Sequence, residues 1–258
     1  MLPATHPFLD HPGPLPIVHR GGALEAYENT VDAFEQAVAL GYRYIETDVR
    51  ATCDGVLLAF HDASLSRVTD RDGVIAAMPW SEVGQARVHG RGRIPTVAEL
   101  LTDFPDVRFN LDAKDAATLR PLARLLRDPE LLRRVCVGSF SDRRLAWLRA
   151  ALGPDLCTSL APREVLRLKA GALRGRTVRL PTTARCVQVP PGPRWARLVD
   201  RRFVVAAHAH GLAVHVWTVD DAARMSWLLD LGVDGIMTDR PATLRRVLVD
   251  RGEWPTPA

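Results

Sequence analysis

Short apolar runs alternate with amphipathic segments along almost the whole chain, and this rhythm limits the fold more than any other feature. Strand-like runs fall at 16–19, 44–49, 107–111, 135–137, 156–160, 186–189, 213–219 and 233–237, with a further extended piece at 56–60. Helical spacing occupies 30–40, 96–101, 116–127, 142–152, 163–170, 200–210, 222–231 and 241–249. In the first of these, Val31, Phe34 and Val38 share one stripe and Gly41 follows as the stop. Repetition of strand then helix makes parallel strands joined by helical crossovers. Eight such units predict an α/β fold, a (β/α)8 TIM barrel, as a single domain over 1–258. An open doubly wound sheet is the alternative, but His19-Arg20-Gly21-Gly22 after the first run lacks the G-x-G-x-x-G of a dinucleotide loop.

Composition removes several function classes. Of 258 residues 47% are hydrophobic, enough for a sizeable core. The net charge of +4 is carried almost wholly by arginine, with Lys114 and Lys169 the only lysines. No basic block with interleaved aromatics appears, so no nucleic-acid partner is expected. Cys53, Cys136, Cys157 and Cys186 are widely spaced, without a C-x-x-C pair, and read as reduced thiols. The proline-rich stretch 1–16 lacks the basic and apolar regions of a signal peptide, and no run reaches membrane-spanning length. Cytoplasmic residence without stable membrane insertion is the expectation, and the oligomeric state is left open.

Polar residues of unusual kind gather where the apolar runs end. His19-Arg20-Gly21, Glu28-Asn29-Thr30, Glu46-Thr47-Asp48 and His61-Asp62 fall within about forty positions, and Asp112 and Lys114 end a later run. Barrel sites collect at the carboxyl ends of strands. Glu46 and Asp48 are two apart, so both leave one face of a strand. Two such acids repel, and a hard divalent cation, Mg²⁺ or Ca²⁺, relieves that. His19 and His61 titrate near neutrality and suit acid and base work. Arg20 has a planar fork for phosphate oxygens, or else forms a salt bridge, for instance to Glu46. Asp62 suits orienting His61, or capping a turn. Asn29 reads as a loop-fixing residue and Glu28 as a lesser candidate near a substrate.

The pattern H-R-G…E-N-T…I-E-T-D-V…T-C-D-G…F-H-D, with W-T-V at 217–219 and T-D-R-P at 238–241, resembles the glycerophosphodiester phosphodiesterase family. The resemblance spans His19 to Pro241 and implies hydrolysis of a small-molecule glycerophosphodiester to sn-glycerol 3-phosphate and an alcohol. It implies a metal held by Glu46, Asp48 and Asp112, catalysis by His19 and His61, and substrate contacts from Arg20, Lys114 and Trp217. Asp112 departs from the glutamate commonest at its position, losing roughly 1.5 Å of reach. The nucleophile, glycerol 2-hydroxyl or water, stays open. The resemblance also implies that 63–95, which breaks the rhythm between the second and third barrel strands, is a small cap over the site. Val74 to Trp80 would make that cap apolar if the protein were instead a lysophospholipase D. A binder of phosphodiesters without turnover is the other alternative. Thr238 to Pro241 reads as a structural turn, His208 and His210 as a solvated helix end, and His215 as packing.

Overall fold

The computed structural model describes residues 6–181, 183–192 and 198–254. Eight parallel strands close into a barrel: β1 (Leu15–His19), β2 (Tyr44–Ala51), β3 (Arg108–Ala113), β4 (Val135–Gly138), β5 (Cys157–Ser159), β6 (Ala184–Val189), β7 (Ala213–Val216) and β8 (Gly235–Thr238). Each pairs with its sequence neighbours, and β1 closes the ring by pairing with both β2 and β8. The crossover helices are α1 (Val31–Ala39), α2 (Val97–Asp103), α3 (Leu119–Leu125), α4 (Asp142–Leu152), α5 (Pro162–Arg174), α6 (Arg201–Ala209), α7 (Ala222–Asp230) and α8 (Pro241–Asp250).

The helices begin where side chains can satisfy their free amides. Thr30, Ser141, Asp200 and Asp221 each accept the amide hydrogen bond of an N-cap. Thr96 and Glu99 form a reciprocal capping box, and prolines open α5 and α8 at a position with no amide to lose. The structure adds a short helix, Pro129–Arg134, that the spacing of apolar residues hides. Asp128 caps it, and Arg134 satisfies the carbonyls of Leu101, Phe104 and Val107.

Period-two alternation divides each strand between two cores. Outward residues such as Val18, Ile45, Val137, Val187 and Val214 pack beneath the helices. Inward residues Leu15, Ile17, Tyr44, Cys136, Cys157, Cys186, Ala213 and Met237 fill the barrel, with Phe8 beneath them against Tyr44. These three cysteines are buried free thiols, while Cys53 is exposed. Along the same inward rows toward the carboxyl ends, the residue type changes. Ile17 gives way to His19, Tyr44 to Glu46 and Asp48, Cys157 to Ser159, and Cys186 to Gln188. The chain thus builds an apolar floor and a polar mouth from one repeated pattern.

Residues 63–95 hold a one-turn helix, Trp80–Val83, and a two-residue antiparallel pairing of Arg87–Val88 with Gly92–Arg93. They have a core of their own, in which Leu65, Val68, Ile75, Val83 and Val88 pack on Leu58 and Phe60. Leu57–Ala59, the middle of the extended piece at 56–60, runs antiparallel to the end of β2 and carries this unit. No helix among the described residues is long and apolar enough to cross a membrane.

Candidate active site

Strand register assembles the site. His19 stands beside Glu46, and Glu46 beside Asn110, in one row across β1, β2 and β3. One step higher, Asp48 stands beside Asp112 and Asp112 beside Gly138. Parallel pairing therefore brings residues such as Asp48 and Asp112, more than sixty positions apart, side by side. A cavity of about 420 Å³ opens over these rows and is lined by His19, Arg20, Glu46, Asp48, His61, Asp112, Lys114 and Trp217, while Glu28, Asn29 and Asp62 are not among its lining residues.

The turn after β1 needs its glycines. Arg20 and Asn29 adopt left-handed backbone, at φ 53° and 57°, and the Asn29 amide donates to the Arg20 carbonyl at 2.8 Å. A side chain on Gly21 would stand 2.6 Å from the Ala33 Cβ, so α1 can pack this closely only over glycine. Asn29 fixes the loop as expected: its Oδ1 accepts from Thr47 at 2.7 Å and its Nδ2 donates to Asp48 at 3.4 Å.

Arg20 pairs with Asp48, Nε to Oδ2 at 2.8 Å, and more loosely with Glu28 at 3.5 Å, not with Glu46. Lys114 bridges Asp48 and Asp112, at 2.7 Å to each. Burial opposes the charge of Asp48, but Arg20 and Lys114 outweigh it and hold its carboxyl below the usual range. Burial likewise disfavours the Lys114 ammonium, and the two aspartates reverse this and raise its pKa. Glu46 lacks such partners. Burial, with Asp48 beside it, pushes its carboxyl up to about 8.

Each candidate histidine has one nitrogen committed to a carboxylate. His19 Nδ1 lies 2.7 Å from Asp239 Oδ1, and His61 Nδ1 lies 2.5 Å from Asp62 Oδ1. A carboxylate at Nδ1 fixes the proton there and leaves Nε2 for proton exchange. Burial lowers the pKa of His19, but Glu46, 3.7 Å from Nε2, and Asp239 overcome this and raise it. Arg67 in turn donates to Asp62 and to Glu28, so Glu28 is held by two arginines.

Several readings are corrected here. Thr238 to Pro241 is more than a turn: Val18 registers with Thr238, so the next pair upward is His19 and Asp239. Residues 63–95 form a unit with its own core between β2 and β3. None of them lines the cavity among the described residues, and Arg67 is their link to it through Asp62 and Glu28. Ile75 is buried in that unit's own core, with Met78 and Trp80 half-buried against it. His208 and His210 are not simply solvated: His208 Nε2 pairs with Asp234 at 2.7 Å, and His210 bridges the carbonyls of Ala206 and Val178. His215 is fully buried, with Nδ1 3.3 Å from Gln188 Nε2 and Nε2 unpartnered, which agrees with packing.

Sequence reasoning missed the opposite wall. Phe140, Leu160, Pro162, Val165, Leu166 and Pro190, from the segments following β4, β5 and β6, make that side of the cavity apolar. Phe140 meets Trp217 edge to face at 5.5 Å, and Lys114 Nζ lies 5.8 Å from the Phe140 ring. Asn110 and Gln188, hydrogen-bonded at 2.9 Å, floor the cavity.

No group of three or more His, Cys, Asp or Glu side chains is arranged to hold a metal ion among the described residues. Asp48 has its oxygens turned to Lys114, Arg20 and Asn29. Its neighbours differ: Glu46 Oε2 and Asp112 Oδ1 are buried and accept no hydrogen bond. Buried carboxylate oxygens without donors are costly, and a hard cation is the partner their chemistry fits.

Comparison with known proteins gives the family and the fold. The model of the glycerophosphoryl diester phosphodiesterase family matches residues 19–243. The chain is 38% identical over 254 residues to a probable glycerophosphodiester phosphodiesterase 2 of Mycobacterium tuberculosis, covering 97% of this chain and 96% of that one. A crystal structure of a putative glycerophosphoryl diester phosphodiesterase from Silicibacter pomeroyi superposes with a TM-score of 0.77 at 25% identity, over 95% and 97% of the two chains. An Oleispira antarctica phosphodiesterase, solved with its product sn-glycerol-3-phosphate, gives 0.75 at 23% identity, over 92% and 97%.

Proposed function

This chain belongs to the glycerophosphoryl diester phosphodiesterase family, and we propose that it hydrolyses glycerophosphodiesters to sn-glycerol 3-phosphate and an alcohol in a metal-dependent reaction. One observation carries the reading: two carboxylate-oriented histidines share a cavity with Arg20 and Lys114. His19 and His61 divide the proton transfers, one taking the proton of the attacking oxygen and the other supplying one to the leaving alcohol. Arg20 and Lys114 stabilise charge on the phosphoryl oxygens. Glu46, Asp48 and Asp112 would hold the ion, Mg²⁺ or Ca²⁺, which supplies Lewis acidity at the phosphate. Glu46 and Asp112 offer unspent oxygens for it. Trp217 and Phe140 form the aromatic wall beside the bound diester.

The apolar side of the cavity favours a second reading of the substrate, a lysophospholipid whose hydrocarbon lies along Leu160, Val165 and Leu166. Release of glycerol 3-phosphate from glycerophosphocholine, glycerophosphoethanolamine and glycerophosphoglycerol, with Mg²⁺, Ca²⁺ or EDTA, tests the first. Release abolished by EDTA and restored by a divalent ion is expected. Undiminished release in EDTA removes the metal; failure on all three diesters, with turnover of a lysophospholipid, selects the second reading.

A further inference from the structure

The outer face of α5 carries arginines and leucines beyond what the barrel and the site use, Leu166 alone reaching the cavity. Between 163 and 179 stand six cationic side chains and one acid, Glu164. Glu164 is held by Arg149 at 2.7 Å, and Lys169 is satisfied by Asp200 at 2.6 Å. That leaves Arg163, Arg167, Arg174, Arg176 and Arg179 without a carboxylate partner among the described residues. Four of them, Arg167, Arg174, Arg176 and Arg179, surround a groove of about 420 Å³.

Two leucines share this face. Leu166 and Leu173 are seven residues apart, hence on one side of the helix, and are 66% and 58% exposed. Leu166 also lines the catalytic cavity, and Phe140 beside it is 63% exposed. The apolar rim of the site therefore continues into the leucine row, with arginines alongside it.

We infer that this face docks the protein on an anionic lipid bilayer. Unpaired arginines gain from headgroup phosphates, and exposed leucines gain by entering the acyl boundary. A nucleic-acid partner would use the arginines but has no use for the leucines. With the flank of α5 on the bilayer, the rim at Phe140 and Leu166 lies at headgroup level. An amphiphilic diester could then enter from the lipid surface, a benefit that rests on the proposed function although the docking itself does not.

Flotation of the full chain with phosphatidylcholine vesicles, alone or with about 30% phosphatidylglycerol, tests this. Binding to the anionic vesicles at about 0.1 M salt, lost at about 0.5 M, is expected, with none to neutral ones. Arg167→Ala/Arg174→Ala/Arg176→Ala should weaken partitioning about a hundredfold, and Leu173→Asp about tenfold, in proteins whose circular dichroism is unchanged. Equal binding to neutral vesicles, no flotation, or unchanged binding by both variants overturns the inference. So does tighter binding to a DNA duplex that Leu173→Asp leaves intact. Binding is scored without turnover, so an inactive protein that floats supports the surface, and an active one that does not float refutes the surface alone.

Discussion

The two halves of the cavity are built by different parts of the chain. The half over β1, β2 and β3 is charged, and its side chains stand on strands or on the first residues beyond them. The half over β4, β5 and β6 is apolar and comes mainly from the segments that follow those strands. Strands fix side chains more tightly than loops, so the charged half can hold a reacting phosphate while the apolar half varies with the alcohol. Chemistry and substrate choice should therefore respond to different substitutions.

The largest effect belongs to the charged half. His19→Ala and His61→Ala should each lower kcat by about 10²- to 10⁴-fold on every substrate, short or long-chained. Circular dichroism and the thermal midpoint check that both proteins fold. Full activity in either would remove that histidine from the mechanism. Asp239→Asn ranks next. It keeps a partner at His19 Nδ1 but removes the charge that helps hold the imidazole, so a loss of about 10- to 100-fold in kcat with KM nearly constant is expected. An effect on KM alone would mean that Asp239 positions substrate instead.

The apolar half should answer to a different measurement. Leu166→Arg puts charge on the hydrocarbon rim and should lower the ratio of kcat/KM for a lysophospholipid over glycerophosphocholine by about tenfold. If the ratio holds while both values fall together, the division between the halves fails.

What the sequence revealed and what it hid follow the same division. On β2 and β3 the polar residues Glu46, Asp48, Asn110 and Asp112 alternate with the apolar Ile45, Val49, Phe109 and Leu111, and such exceptions stand out in a linear reading. Asp239 was hidden because its meaning comes from ring closure: only when β8 lies beside β1 does it meet His19. The pairing of Arg20 with Asp48 instead of Glu46 depends on a left-handed turn that no spacing reveals. Leu160, Val165 and Leu166 look like ordinary helix and strand hydrophobics, and only the third dimension turns them toward a cavity. The core of residues 63–95 is equally hard to read in one dimension: its apolar residues pack on one another and on Leu58 and Phe60.

The amino end of the barrel supplies the contrast that sharpens the comparison, because its polar contacts tie elements together far from the cavity. Asp234, at the start of β8, accepts from the Val214 amide at 2.7 Å and from His208 at the end of α6, also at 2.7 Å. The hydrogen bond to Asp234 outweighs partial burial and raises the pKa of His208. The pair therefore stabilises fully below the unfolded value near 6.5, and the contribution is lost as pH rises through the raised folded value. Because the imidazole is substantially exposed, the gain is below about 1 kcal/mol. Urea denaturation of the native protein and His208→Gln should show the native protein ahead at pH 6 and the gap closing by about pH 8, with turnover equal throughout. A change in turnover would mean that this end of the barrel communicates with the mouth; a gap that widened with pH would mean that the imidazole acts in its neutral form.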